Sequence, residues 1–486
     1  VIVLGNTAVE RKASTYSNWV LVTALIGTFL TVLNSSMVNI ALPTLMEEFR
    51  LPLDVLTWIV TGYMLPYSVL MPIFGRLGDL YGRRYLFIAG MLVFVAGALC
   101  AGFTRSFVPL LAFRVVQAVG AAAILPNGMS LVNSAFPASQ RGRVMGIWGG
   151  TAAFGAVIGP TVGGYLVQYA SWRSIFYVNI PVALIGLLPA VWIVREVKGA
   201  AGDPRFDLGG AITLTVSMFG LLLAVTQVRS YGLLSPRILS LLAVFLVFFL
   251  LFLRTEKRFP QPMVDLSLFT DRTFAAATLG GFIQMFSIYA VTLLMPVFLQ
   301  KVRGYSTADT GLFLVAYSLT QALASPLGGW LADRFGKRPP AVVGLFISGV
   351  GFFLLSRLSY ASAEWSIPLR LAVGGLGIGI ITSPLTSGVI EASPPHKVGV
   401  SSGLYNMIRF GGSVASAAVL GSLLQTRTLW HAAALPAAGN SEMLAMQQAF
   451  GEVYLLVTVI SLLGVLIVSR LRDERRSPEV TTEGAA

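Results

Sequence analysis

GRLGDLYGRR (Gly75–Arg84) and GWLADRFGKR (Gly329–Arg338) are two copies of one pattern. Each places a carboxylate four residues after a glycine, a second glycine three residues further, and then two bases: Gly75, Asp79, Gly82 and Arg83 in the first copy, Gly329, Asp333, Gly336 and Lys337 in the second. A fainter echo lies downstream of each, where Gly142, Gly146 and Gly155 recur 257 residues later as Gly399, Gly403 and Gly412. An internal repeat of this length means that the chain holds two related halves, each built around the same short turn.

The stretches on either side of both turns are apolar. The chain has 486 residues, 55% of them hydrophobic and 11% charged, with a mean hydropathy of +0.78, against about 25% charged in soluble domains. Windows of about 19 residues, long enough to cross the hydrocarbon of a bilayer, predict spans at 19–41, 55–74, 85–103, 107–133, 143–167, 174–194, 208–227, 236–253, 273–299, 310–331, 340–357, 366–391, 399–425 and 450–469. The first is too long for a cleaved signal and reads as retained. With spans seven and eight set aside, each copy of the turn follows the second helix of a six-helix set. The expected fold is therefore an all-α polytopic membrane protein of two six-helix bundles with two inserted helices. Its parts are 1–200, an insert over 201–265, a second bundle over 266–470 and a cytoplasmic tail over 471–486. Parallel repeats of this sort place a substrate site near the midplane, between bundles that rock against each other.

A net charge of +13 invites a nucleic-acid reading, but the bases alternate by loop instead of gathering on one face. With the N-terminus inside, the tails and even-numbered loops hold about 22 of the 34 Lys and Arg, which predicts two cytoplasmic termini in an inner membrane. Cys100 lies inside span three, so no internal disulfide is expected. His396 and His431 fall outside the predicted spans and no carboxylate is found in mid-span, so the convergent groups of an intramembrane enzyme are missing. No metal, cofactor or nucleic-acid partner is expected. The expected partners are the bilayer, protons and a small amphiphilic substrate, met by a monomer.

Within the turn, the glycines permit positive φ and Asp79 is placed to sit at a neighbouring helix N-terminus or against Arg83, a contact that holds one conformer and breaks in another. Asp333 and Gly336 carry the same expectation. A plain solvated loop is the rival reading, and the duplication counts against it. Span five, with Gly155, Gly159 and Pro160 in GIWGGTAAFGAVIGPTVGGYL, is expected to be a smooth, bent sliding surface. Arg114, with Gln117 one turn away, and Arg409 are expensive inside a membrane and are candidates for function. Asn34, Tyr63, Asn127, Gln284, Tyr289, Tyr317, Gln321, Tyr405 and Asn406 complete a candidate cavity lining, although most such residues serve as glue between helices.

These motifs resemble those of the fourteen-span drug:proton antiporters of the major facilitator superfamily, the group that includes bacterial multidrug exporters of the quaternary-ammonium type. GRLGDLYGRR is similar to the superfamily's loop signature, FRVVQAVGAAA (Phe113–Ala123) to its fourth-helix signature and GTAAFGAVIGPTVGG to the fifth-helix signature of antiporters. LNSSMVNIALP (Leu33–Pro43), Trp58, SWRSIFYVNIP (Ser171–Pro181) and FDLGG (Phe206–Gly210) agree. The resemblance implies export of amphiphilic drugs by alternating access in exchange for protons, with Asp79 as latch and Arg114 in a proton relay. A lipid or lipoprotein translocator and a metabolite importer are rivals on the same fold. Asn34 departs from the pattern, since many relatives carry Asp there. Without that acid the cavity should be apolar to weakly positive. It should accept neutral, zwitterionic or anionic amphiphiles at least as well as quaternary ammonium compounds. Proton carriage then falls to peripheral acids, Glu391 and Asp79 first.

Overall fold

The computed structural model describes residues 2–51, 53–56, 58–196, 206–232, 234–259, 266–394, 397–434 and 441–472, with side chains left out for a few of these. Among the described residues all regular structure is helical, and fourteen helices are long and apolar enough to cross a membrane. We number them α1 (Ile2–Phe49), α2 (Trp58–Tyr81), α3 (Arg83–Phe103), α4 (Phe107–Ala135), α5 (Arg141–Tyr169), α6 (Ser174–Trp192), α7 (Leu208–Tyr231), α8 (Pro236–Arg258), α9 (Arg272–Val297), α10 (Thr307–Phe335), α11 (Arg338–Ser356), α12 (Ser366–Glu391), α13 (Val398–Ala434) and α14 (Ser441–Val468). Each corresponds to one predicted span, and the differences lie at the ends. Here α13 runs nine residues past its expected end at 425, α14 begins nine residues early, and α9 continues into a π-turn at Phe298–Val302.

Local chemistry sets the boundaries. Gly82 (φ 122°) and Gly336 (φ 87°) make the sharp turns that join α2 to α3 and α10 to α11, a conformation in which a side chain would be strained. Asp207 caps α7 through the Gly210 amide (2.7 Å), and Asp271 caps α9 through Thr273 and Phe274 (2.8 Å each).

Close packing within each half follows small residues. A Cβ built on Gly90 of α3 would meet the Gly120 carbonyl of α4 at 2.8 Å, and its repeat partner Gly344 of α11 would meet the Gly377 carbonyl of α12 at 2.9 Å. The same contact thus occurs 254 residues on along α3 and 257 along α4. Gly97 against Gln117 and Gly351 against Gly374 keep that offset. Between the bundles α5 packs on α10 and α2 on α13. Leu222 of α7 packs on Leu65 and Val69 of α2 and on Val414 of α13, so the insert lies over that seam, while α8 packs chiefly on α7.

Candidate functional site

At the end of the bundles that carries both turns, the two carboxylates cross the seam. The Gly399 and Val400 amides at the start of α13 donate to Asp79 at 3.1 Å each. The Gly142 and Arg143 amides at the start of α5 donate to Asp333 at 2.9 and 2.8 Å. The first amides of a helix have no partner within it and carry the positive end of its dipole, so each acid of one bundle satisfies the orphan donors of a helix in the other. The expected contact with Arg83 occurs as well. Arg83 holds Asp79 at 2.9 Å and donates to the Ser134 hydroxyl at 3.0 Å. In the second copy Lys337 takes the place of Arg83 and pairs with Glu391.

Such a cap needs two backbones in contact, which is what the glycines allow. A Cβ on Gly75 would stand 2.1 Å from the Gly399 carbonyl oxygen, and one on Gly329 2.2 Å from that of Gly142. One turn deeper, Gly403 meets the Met71 carbonyl and Gly146 that of Ser325, at 2.4 and 2.6 Å. Beyond this half the stripe changes partner. Gly155, Gly159 and Gly163 of α5 face Phe29, Ser36 and Met37 of α1, and Gly412 of α13 faces Phe282 of α9. Only the first half of the span-five stripe therefore lies on the seam between bundles, while Gly155 and Gly159 sit inside the first bundle. The Pro160 side chain lies outside the described residues.

Towards the far end a polar cluster is buried in the first bundle. Arg114, fully buried, donates to the Ile59 carbonyl (3.2 Å) and the Gln117 side-chain oxygen (2.9 Å) and lies 4.2 Å from the centre of the Tyr63 ring. The Tyr63 hydroxyl points at Asn34 without closing a bond of good geometry, and Asn34 accepts from Asn179 of α6 at 3.3 Å. Tyr63 stacks on Tyr67 (5.5 Å), whose ring meets Phe410 of α13 edge-on at 5.2 Å. Arg409 is half-buried beside it, with its Nε unpartnered.

The remaining predicted lining residues divide by where they point. Tyr289 crosses the seam to the Met64 sulfur at 3.3 Å, and Asn406 reaches the Met129 sulfur at 3.8 Å. Asn127 donates to the Phe74 carbonyl of α2, and Gln284 to Thr382 of α12 at 2.7 Å, so both join helices within one bundle. Tyr317 packs over Gly374 and Tyr405 over Gly281, again within a bundle, and Gln321 is half-buried on α10.

With this geometry in place the comparisons are direct. The chain matches the Major Facilitator Superfamily over residues 24–417 and 277–485. It is 35% identical to the multidrug resistance protein Stp of Mycobacterium tuberculosis, across 82% of this chain and 74% of that protein. The chain belongs to the major facilitator superfamily. It is also 29% identical to the riboflavin transporter RibZ of Clostridioides difficile, across 80% of this chain and 84% of that protein. Its fold superposes on the human transporter MFSD10 with a TM-score of 0.69 at 16% identity, covering 93% of this chain and 99% of that one. As a superfamily member it is a multi-pass membrane transporter, a family of transporters and not of enzymes.

Three features escaped the sequence reading. Glu196, just after α6, accepts from the Arg84 and Tyr85 amides at 3.2 and 3.1 Å and so caps α3. At the far end, Glu48 of α1 takes the Trp172 indole and Arg173 (2.9 Å). His431, expected in a loop, sits in the last turn of α13, where it and Arg427 bind Glu452 of α14 at 3.0 and 2.7 Å. Arg114 and Arg409 are thus not the only charges on the membrane helices. The polar ends of α13 and α14 lower window hydropathy, so apolar windows alone end both helices short.

Proposed function

We propose that the chain exports amphiphilic small molecules across the cytoplasmic membrane by alternating access, in exchange for protons, with both termini in the cytoplasm. The observation that carries the reading is the pair of repeat-related caps, Asp79 on α13 and Asp333 on α5. Each joins one bundle to the other through hydrogen bonds that a small rotation breaks. A cap of this kind is worth about 1 to 2 kcal/mol, enough to bias two conformers and small enough for a substrate or proton to reverse. Residues 1–200 and 266–470 act as the two moving bodies, and the insert over 201–265 follows the α2–α13 seam.

Protonation of Asp79 removes its charge from the α13 dipole and weakens the cap, so an acid at the turn end can couple proton entry to opening. Asp79 and Tyr63 lie sixteen residues apart on α2, about 24 Å of helix. The Arg114 cluster therefore communicates with this acid through movement of α2 and not through a hydrogen-bonded wire. Export, and drugs as cargo, are carried over from relatives such as Stp. RibZ, named for a flat aromatic metabolite, supports a second reading as a metabolite transporter.

The test is uptake of a drug panel into inside-out vesicles under pH gradients of either sign, with a lipid-flip measurement on the same vesicles. Export predicts accumulation driven by an acid interior. Lipid movement without drug movement would support the translocator rival. Single cysteines at Ser139 and Ser306, with Cys100 replaced, should label from the inside and outside respectively.

A further inference from the structure

The Arg114 cluster has more donors than its own surroundings can satisfy. A guanidinium stays protonated and has five N–H groups, yet Arg114 is wholly buried and its polar partners are two neutral oxygens. No carboxylate forms an ion pair with it among the described residues. The polar side chains next to it are Gln117 of α4 and Tyr63 of α2, and beyond Tyr63 the cluster runs through Asn34 of α1 to Asn179 of α6, all neutral. Five polar atoms here are buried without a partner. Arg114 Nη2 and Gln117 Nε2 are donors left over, Asn34 Nδ2 and the Tyr63 hydroxyl face each other without a bond of good geometry, and Asn179 Oδ1 accepts.

Leaving a buried donor unmet costs about 1 to 3 kcal/mol, and more for a charged one. A buried charge without a counter-charge costs several kcal/mol. A ligand that meets both the donors and the charge offers acceptors and is an anion. A cation has no lone pair to offer, and a neutral amide brings donors of its own, whereas a carboxylate accepts at up to four positions and donates at none. The cluster continues along the Tyr63–Tyr67–Phe410 ladder to the second bundle. A run of one stacked and one edge-on aromatic contact offers ring edges and faces against which another ring system packs. Arg409, beside Phe410, places a second cation at the far end of the ladder, where it acts electrostatically on Tyr67.

We propose that the Arg114 cluster binds the anionic group of an aromatic amphiphile, with the anion on the guanidinium and the rings along Tyr63, Tyr67 and Phe410. This rests on the transport reading for its purpose but not for its chemistry. Asn34 is the residue that leaves the site open, because an acid at that position would supply a counter-ion from within the chain.

The experiment is equilibrium binding to the purified full chain of three compounds that differ only in headgroup: 2-naphthoxyacetate, its primary amide, and 2-(2-naphthoxy)ethyltrimethylammonium. The carboxylate should bind about tenfold or more tightly than the other two. Asn34→Asp should abolish that preference, lowering carboxylate affinity at least about tenfold more than amide affinity. Arg114→Gln should do the same, and Arg114→Lys should keep part of it. Should Arg114→Gln fail to fold, Asn34→Asp decides alone. Equal binding of amide and carboxylate, binding of none of the three, or full carboxylate preference in Asn34→Asp overturns the assignment. Proton-driven export of any member of the drug panel under any of those results would leave the transport reading standing. Arg114-dependent carboxylate binding in a protein that exports nothing would remove the export reading and keep the site.

Discussion

The two carboxylate caps share one geometry and differ in what supports it. Asp79 is almost wholly buried, clamped by Arg83, with Ser134 on the far side of the arginine. Asp333 is half-buried, and Lys337 at the position of Arg83 pairs with Glu391 at the position of Ser134 while acting on Asp333 electrostatically. Arginine presents a fixed fork to one carboxylate, whereas lysine is a point charge that turns between two. The comparison teaches that duplication preserved the cap across the seam while the residues behind it diverged into one rigid latch and one adjustable latch. The rigid latch should set the closed state, and the adjustable one should tune it.

Blocking the seam under the rigid latch should have the largest effect. Gly75→Val places side-chain atoms where the Gly399 carbonyl now lies, so the turn end cannot close and transport should fall by about a hundredfold or more, given overpacking costs of about 1 to 3 kcal/mol or higher against backbone. Cysteine accessibility from the turn end should rise to match. Normal accessibility would show that the seam is not a moving surface.

Next in size is the difference between the acids. Asp79→Asn loses a charge-assisted cap and the carboxylate that pairs with Arg83, and should shift the closed population by about tenfold or more. Asp333→Asn, with a more exposed carboxylate, should shift it by only about threefold. Equal shifts, read by paired cysteine labelling on the two faces, would remove the distinction between rigid and adjustable latches.

A smaller effect is expected from Glu391→Gln, which frees Lys337 to turn fully to Asp333 and should raise closed-state occupancy by about twofold. The same variant tests proton carriage. Full pH-driven export by a protein with both Glu391→Gln and Asp79→Asn would exclude these acids as the carriers. Gly411→Ala should show the smallest effect. No atom lies within 4 Å of the added carbon, so export and accessibility should stay within about twofold of the parent.

Helix count, the 254-residue turn repeat and the two-bundle plan were legible because each rests on a local signal: an apolar window for a span, a glycine before two bases for a turn. Asp79 at a helix start was legible too, since a lone acid in a tight turn beside apolar helices has few other partners. The partner helix was not legible. Nothing near Asp79 in sequence points to Gly399, 320 residues away.

The sequence by itself determined that this chain spans a membrane many times and is built from a doubled unit, because hydropathy and periodicity are properties of consecutive residues. The tertiary structure decided which glycines touch the opposite bundle, since Gly146 and Gly159 look alike in one dimension and face α10 and α1 in three. It also separated the seam-crossing Tyr289 from the intrabundle Asn127 and Gln284. Above all, it left Arg114 without an ion pair among the described residues, in a cluster of neutral side chains drawn from four helices. Burial and pairing depend on what other segments bring to the same place, and no single segment of the chain carries that information.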